Sequence, residues 1–137
     1  MNVFIVENSV IARGALQSVL SDMSDVKVVG YAVDEPNAIE RIGALLPDAV
    51  ILDLSLQSGS GINVLEHIKK HHATIKVIVF THYTDELYVD RCMHAGADYF
   101  FDKSFQFMQL REVLRKWTHT DRLDNEFRLS ALQITKG

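Results

Sequence analysis

Short apolar runs recur along this chain, separated by longer segments with a different spacing. Five runs are rich in β-branched and aromatic residues and are too short for typical helices, which favours strands. Four of them are continuously apolar, as expected for strands that are buried on both faces of a parallel sheet. The predicted strands cover residues 3–6, 26–33, 49–52, 77–80 and 99–101.

A segment with helical spacing of its apolar residues follows each predicted strand. Ser9 is suited to cap the first helix, Pro36 suits the first turn of the second, and Pro47 is expected to end it. The last three predicted helices cover about residues 61–72, 84–96 and 105–117. Five alternations of strand and helix with short connections predict an α/β fold with a doubly wound, five-stranded parallel sheet.

Polar residues stand at or just beyond the ends of four predicted strands. They are Glu7 and Asn8, Asp53, Thr81, and Lys103. Ligands of doubly wound sheets bind outside the carboxyl ends of the strands, so these residues are expected to meet in one pocket. The pocket would combine two carboxylates, an amide, a hydroxyl and an ammonium group.

This set of side chains suits phosphoryl chemistry. The carboxylates of Glu7 and Asp53 and the carbonyl of Asn8 are hard oxygen donors of the kind that Mg²⁺ prefers. A carboxylate beside such a metal can attack phosphorus and form an aspartyl phosphate. A nearby lysine pairs with phosphoryl oxygens, and together with the metal it offsets the charge of the transferred group.

Four motifs in order resemble the receiver domain of two-component response regulators, over about residues 3–117. Residues 6–9 resemble the acidic turn after the first strand, and residues 79–81 resemble the strand that ends in the switch hydroxyl. Residues 50–55, with Gly61 eight positions after Asp53, resemble the phosphoacceptor strand and its loop. Residues 95–103 resemble the segment that leads to the family's lysine.

The resemblance implies a flavodoxin-like (βα)5 fold with strand order 2-1-3-4-5, similar to stand-alone chemotaxis regulators. It implies that Asp53 accepts a phosphoryl group from a histidine kinase or a histidine phosphotransfer protein. It also implies that Glu7, Asn8, Asp53 and the backbone carbonyl of Ser55 hold Mg²⁺ or Mn²⁺. The chain would then be a signalling protein and not an enzyme, with at most magnesium-dependent self-phosphorylation and autodephosphorylation.

The same resemblance implies a switch. Thr81 and Lys103 would bind the phosphoryl group, and the ring of Phe100 would turn into the space that Thr81 vacates. The surface formed by the fourth helix, the fifth strand and the fifth helix would then change its packing and bind a downstream protein. Phe100 lacks the hydroxyl of the commoner tyrosine, so it can turn inward but cannot hydrogen-bond outside.

Asn8 departs from the family pattern, because an aspartate that binds the metal usually stands there. Hard cations reward the number of carboxylates, so this replacement is expected to lower Mg²⁺ affinity. Two interpretations follow. The chain is either a working receiver that tolerates Asn8, with Glu7 compensating, or a degenerate pseudo-receiver that signals by protein binding without phosphorylation.

Other departures lie around the predicted pocket. His82 follows Thr81 where the family prefers a small residue, and we expect His82 and Tyr83 to modulate access to Asp53. The alternative for His82 is a solvent-facing loop histidine without a role. Ser104 replaces the common proline after Lys103, which leaves the isomer of that peptide bond open.

Composition narrows the remaining choices. The chain has 137 residues, a formal net charge of −4 and one cysteine, Cys92, so it is expected to be one cytoplasmic domain without an internal disulfide. The acidic balance argues against direct DNA binding through bulk charge, and no apolar run is long enough to cross a bilayer.

The expected domain covers residues 1–117, and residues 118–137 would form a short tail without a separate effector domain. Apolar positions in the tail allow a short helix that packs on the body, pairs with a second copy to give a homodimer, or stays frayed. The controlled target would therefore lie on another molecule.

A flavin-binding enzyme is the competing interpretation of the fold. Flavodoxin-type proteins share the sheet order and bind FMN at the same edge of the sheet. They need a loop rich in Ser, Thr or Gly that cradles phosphate after the first strand. Glu7 places an anion where that phosphate would lie, which is electrostatically unfavourable.

Overall fold

One five-stranded parallel sheet, in the order β2-β1-β3-β4-β5, organises the computed structural model, which describes residues 1–120. The strands are β1 (Asn2–Val6), β2 (Lys27–Ala32), β3 (Ala49–Leu52), β4 (Lys76–Thr81) and β5 (Tyr99–Asp102). The helices are α1 (Val10–Ser21), α2 (Glu35–Leu45), α3 (Gly61–His71), α4 (Glu86–His94) and α5 (residues 107–120). The predicted fold class and strand order are confirmed.

Alternate residues of the buried strands face two separate cores. Phe4 and Val6 belong to the apolar cluster that contains the inward residues of α2, α3 and α4. Val3 and Ile5 belong to the cluster that contains the inward residues of α1 and α5. Helices therefore cover both faces of the sheet, which explains why the sequence shows continuous apolar runs.

Side-chain caps begin three of the helices and set the direction in which each one leaves its loop. The Ser9 hydroxyl accepts a hydrogen bond from the Ala12 N–H at 3.2 Å, and the Asp34 carboxylate accepts one from the Asn37 N–H at 2.9 Å. Ser60 accepts from the Ile62 N–H at 3.1 Å. These bonds satisfy donors that have no partner inside the first helical turn.

The fifth helix begins later than predicted. Residues 103–105 form a turn, in which the N–H groups of Phe105 and Gln106 donate to the Asp102 carbonyl at 3.2 and 2.9 Å. The Gln106 side chain accepts from the Asp102 N–H at 2.7 Å, and the helix starts at the next residue. The helical spacing alone could not reveal this turn, because Phe105 continues the apolar pattern although its side chain is exposed.

Helical residues continue through Thr120, three residues beyond the predicted domain boundary at 117. The predictions for residues 121–137, including the helical tail and its pairing with a second copy, lie outside the described residues. Within residues 1–120, no helix is long and apolar enough to cross a membrane. No cis peptide bond occurs in the described chain, so the Lys103–Ser104 bond is trans.

Candidate phosphoacceptor site

Backbone hydrogen bonds extend the sheet by one residue at its carboxyl edge and so place three charged residues. The N–H of Glu7 donates to the Ala32 carbonyl at 3.0 Å, and the N–H of Asp53 donates to the Val6 carbonyl at 2.9 Å. The N–H of Lys103 donates to the Thr81 carbonyl at 2.9 Å. These backbone hydrogen bonds fix the positions from which the three side chains extend.

Lys103 joins the two carboxylates of the site. Its Nζ donates to Glu7 Oε2 at 2.6 Å and to Asp53 Oδ2 at 2.7 Å. Because both contacts end on one nitrogen, the two carboxylate oxygens lie within a few ångström of each other. The side chains of Lys103, Glu7 and Asp53 are only 10, 3 and 8% exposed, so this is a charged cluster largely removed from water.

Burial and charge shift two pKa values in this cluster. Burial raises the pKa of Glu7, the negative charge of Asp53 adds to that rise, and the bonds from Lys103 and the Ser9 N–H oppose it. Burial alone would lower the pKa of Lys103, but its hydrogen bonds to Asp53 and Glu7 outweigh that effect and raise it. Lys103 therefore stays protonated while two acids compete for it.

The second oxygen of each carboxylate is held by a backbone N–H of the following loop. Glu7 Oε1 accepts from Ser9 at 3.0 Å, and Asp53 Oδ1 accepts from Ser55 at 3.4 Å. A carboxylate oxygen can accept more than one hydrogen bond or metal contact. The carboxylates are thus oriented from two sides and keep some capacity for a further ligand.

The polar pocket at this edge has a volume of about 390 Å³. Its walls are Glu7, Asn8, Ser9, Ala12, Asp53, Ser55, His82, Tyr83 and Lys103. A larger cleft of about 620 Å³ lies near the amino ends of the strands, beside Met1, Asp48 and Lys76. Neither member of the buried carboxylate pair reaches that larger cleft, so the smaller pocket is the candidate site.

Most of the predicted site residues line this one pocket. Thr81 and Phe100 do not. Thr81 is fully buried, and its Oγ1 accepts from the Tyr83 N–H at 3.2 Å. Phe100 is half-buried and packs against the cluster that includes the α4 residue Cys92.

Arg13 is a structural contributor that the sequence analysis missed. Its Nη1 donates to the Glu7 carbonyl at 2.9 Å and to the Asn8 carbonyl at 3.4 Å, and its guanidinium lies 4.3 Å from the centre of the Tyr31 ring. Helical side chains lean towards the helix amino terminus, so an arginine in the second turn of α1 was a usable signal. Arg13 holds the turn that carries Glu7 and Asn8.

The donor set fits a hard cation. Mg²⁺ is commonly held by one or two carboxylates together with waters and phosphate oxygens. Glu7 and Asp53 supply two converging carboxylates, and Asn8 and Ser55 add oxygen donors at the pocket wall. Residues 1–120 contain no group of three or more His, Cys, Asp or Glu side chains placed to hold a metal. Two converging carboxylates and two further oxygen donors fit the chemistry of a hard divalent cation.

Comparison with known proteins supports this description of the fold. The family model of the response regulator receiver domain matches residues 3–115. Response regulator protein VraR of Staphylococcus saprophyticus is 31% identical over 116 residues, which are 85% of this chain and 56% of that protein. The uncharacterized transcriptional regulatory protein YvfU of Bacillus subtilis is 33% identical, with 85 and 58% covered. The chain thus spans little more than half the length of these relatives.

Solved structures of response regulators share this fold. The response regulator domain of Thermotoga maritima CheB superposes with a TM-score of 0.75 at 28% identity, covering 88% of this chain and 94% of that one. A DNA-binding response regulator of the LuxR family from Staphylococcus aureus gives a TM-score of 0.78 at 25% identity, covering 85 and 98%. These relatives include a protein named as a transcriptional regulator and one named as DNA-binding. They therefore give no support to the expectation that direct DNA binding is absent. The chain belongs to the response regulator receiver domain family of two-component signalling.

Proposed function

We propose that Asp53 accepts a phosphoryl group from a phosphohistidine of a histidine kinase or a histidine phosphotransfer protein. An Asp53 carboxylate oxygen would attack phosphorus, the bond between phosphorus and the imidazole nitrogen would break, and the departing imidazole would take a proton. The observation that carries this proposal is the buried contact of Lys103 with both Asp53 and Glu7. Lys103 is positively charged and contacts Asp53, so it is close enough to bind the phosphoryl oxygens as the group is transferred.

Glu7, Asp53, Asn8 and the carbonyl of Ser55 are the residues that we propose hold Mg²⁺ or Mn²⁺. The ion, when bound, supplies positive charge that offsets the phosphoryl oxygens. The proposal is supported by the two converging carboxylates. The oxygen of each that does not contact Lys103 already accepts a backbone N–H. Arg13 would keep Glu7 and Asn8 in place from the other side of the turn.

The proposed switch uses Thr81, Phe100 and the face formed by α4, β5 and α5. The Thr81 hydroxyl accepts a hydrogen bond from the Tyr83 N–H at 3.2 Å, so turning it towards a phosphoryl oxygen would release the start of the β4–α4 loop. Apolar side chains are exposed on α4 and near the start of α5, among them Leu87, Phe105 and Met108. These residues suit a downstream protein partner.

A pseudo-receiver that acts by protein binding alone is the second candidate function. The observation that favours it is Asn8, which lies at the pocket wall and brings no charge, while Lys103 already neutralises part of the charge on Glu7 and Asp53. A site with this reduced net negative charge attracts a divalent cation less strongly.

Exposure to saturating acetyl phosphate and Mg²⁺, followed by intact mass measurement, tests the two candidates. We expect one added phosphoryl group on the wild type and none on Asp53→Asn. Asp22→Asn is the matched control, since Asp22 lies at the far end of α1, and it should be modified like the wild type. An unmodified wild type would overturn the phosphoacceptor proposal. Modification of Asn8→Asp but not of the wild type would assign the failure to Asn8.

A further inference from the structure

Two departures from the family pattern, His82 and Ser104, contact each other. His82 Nδ1 and Ser104 Oγ lie 2.9 Å apart, a hydrogen-bonding distance, although the residues are separated by 22 positions in the chain. They follow β4 and β5, adjacent strands whose last paired residues are Thr81 and Asp102. The contact therefore joins two loops at the same edge of the sheet.

Both partners start from well-defined turns. The Tyr83 N–H donates to Thr81 Oγ1, which holds the backbone on either side of His82. The Ser104 N–H donates to Asp102 Oδ1 at 2.8 Å, and Gln106 holds the N–H of Asp102 at 2.7 Å. The Ser104 hydroxyl thus projects from a hydrogen-bonded turn, and His82 lines the pocket that contains Asp53.

An exposed imidazole without a partner samples several rotamers on a picosecond to nanosecond timescale. The hydrogen bond to Ser104 restricts His82 to the orientation in which its ring forms part of the pocket wall. His82 and Asp53 line the same pocket, so a ring held in one orientation is placed to narrow the approach to Asp53.

We propose that the His82–Ser104 pair restricts the access of water and small phosphodonors to Asp53, with Ser104 as a positioning residue that acts through His82. The inference rests on the proposed phosphorylation of Asp53. In the step that the pair slows, a water oxygen attacks phosphorus and the bond from phosphorus to the Asp53 oxygen breaks. The carboxylate leaves with the electron pair, and the water proton passes to phosphate or solvent.

The pair should prolong the lifetime of the phosphorylated state, and it should also slow phosphorylation by acetyl phosphate. The loss of one net hydrogen bond corresponds to about a two- to tenfold change in a rate constant. His82→Ala and Ser104→Ala are each expected to raise both rates by this factor. Ser104→Thr keeps the hydroxyl and should behave like the wild type.

A double-mutant cycle tests the inference on full-length protein. The four proteins are the wild type, His82→Ala, Ser104→Ala and the double variant, and the first-order loss of the phosphoryl group is followed after removal of the donor. Because both residues act through one imidazole, the double variant should match His82→Ala and not show the product of the two single effects. His71→Ala and Ser21→Ala, both distant from the pocket, are the matched controls.

Each outcome decides a different question. Independent, multiplicative effects or unchanged rates on a protein that is phosphorylated would overturn the role of the pair and leave the phosphoacceptor proposal intact. A Ser104→Thr protein that behaves like Ser104→Ala would also overturn it, since the hydroxyl would then be irrelevant. If none of the proteins carried a phosphoryl group, the proposed function would fall and this inference with it.

Discussion

The contacts of Lys103 and of His82, both made across loops at the carboxyl edge of the sheet, differ in burial and in charge. Lys103 bridges Glu7 and Asp53 with all three side chains at most one-tenth exposed. The His82–Ser104 contact joins two exposed side chains through a single hydrogen bond. A buried charge cannot lose its partner without a large cost, whereas a contact between exposed side chains can open with little effect on folding. The first contact therefore suits a permanent site, and the second suits adjustment of rates.

The largest effect is expected from Lys103→Met, which leaves two buried carboxylates beside each other without a cation. Breaking a buried ion pair by removing one partner costs about 3 kcal/mol or more. We expect the free energy of unfolding, measured by urea titration at neutral pH without divalent cations, to fall by about that amount. Arg91→Ala is the control, because the Arg91–Glu66 pair is 60 and 49% exposed and should contribute less than about 1 kcal/mol. Equal losses in the two variants would remove the distinction between buried and exposed contacts.

Gly61→Ala should disturb the backbone beside Asp53. A Cβ atom on Gly61 would clash with the backbone oxygen of Asp53 and would lie 2.7 Å from the Leu54 Cα. Because the obstacles are backbone atoms, we expect a loss of about 2 kcal/mol or more in thermal or urea unfolding, and a displaced Asp53. Gly14→Ala is the matched control and should be stabilising. Nothing lies within 4 Å of the added atom, and alanine favours the α1 helix by about 0.5–1 kcal/mol. A stable Gly61→Ala protein would show that the loop has room to move.

Glu7→Gln should change the pH dependence of stability. The folded state raises the pKa of Glu7 above its ordinary value of 4.5, chiefly through burial, so the folded protein binds more protons than the unfolded chain just above that pH. Relative to Glu7→Gln, which cannot ionise at this position, the wild type should lose stability as pH rises from 4.5 through the raised pKa. Urea unfolding of both proteins from pH 4.5 to neutrality, without divalent cations, measures the difference. A wild type that gains stability over this interval would contradict it.

The smallest effect on folding is expected from His82→Ala. Its side chain is exposed and its one described hydrogen bond is to another exposed side chain, so the free energy of unfolding should change by less than about 0.5 kcal/mol. The same substitution should nevertheless alter the lifetime of the phosphorylated state. A loss of stability as large as that of Lys103→Met would mean that the exposed contact supports the fold itself.

Much of the fold was predictable because the local sequence of each strand and helix reflects how that element is buried. The continuous apolar runs mark strands covered on both faces, and Ser9 and Pro36 mark helix starts that the structure confirms. The start of α5 was predicted two residues early, since the turn at 103–105 depends on hydrogen bonds made by Asp102 and the Gln106 side chain.

The candidate site was predictable as a set of residues but not as a set of contacts. Glu7, Asp53 and Lys103 were predicted because each follows a buried strand. Residues that follow parallel strands lie at the same edge of the sheet. The Arg13 bonds to the β1–α1 turn and the contact between His82 and Ser104 were not predicted. Both depend on how loops bend after they leave the strands, which apolar spacing does not describe.

The sequence by itself determined that buried parallel strands alternate with amphipathic helices and that charged residues collect at the carboxyl edge, because burial requires apolar runs of a given length and period. The tertiary structure alone decided which of those residues meet. Strand order places β1 beside β3 and β4 beside β5, so Glu7 and Asp53 reach Lys103 across 96 and 50 positions of the chain. Contacts over such separations depend on the distances and orientations of neighbouring strands, and these exist only in the folded chain.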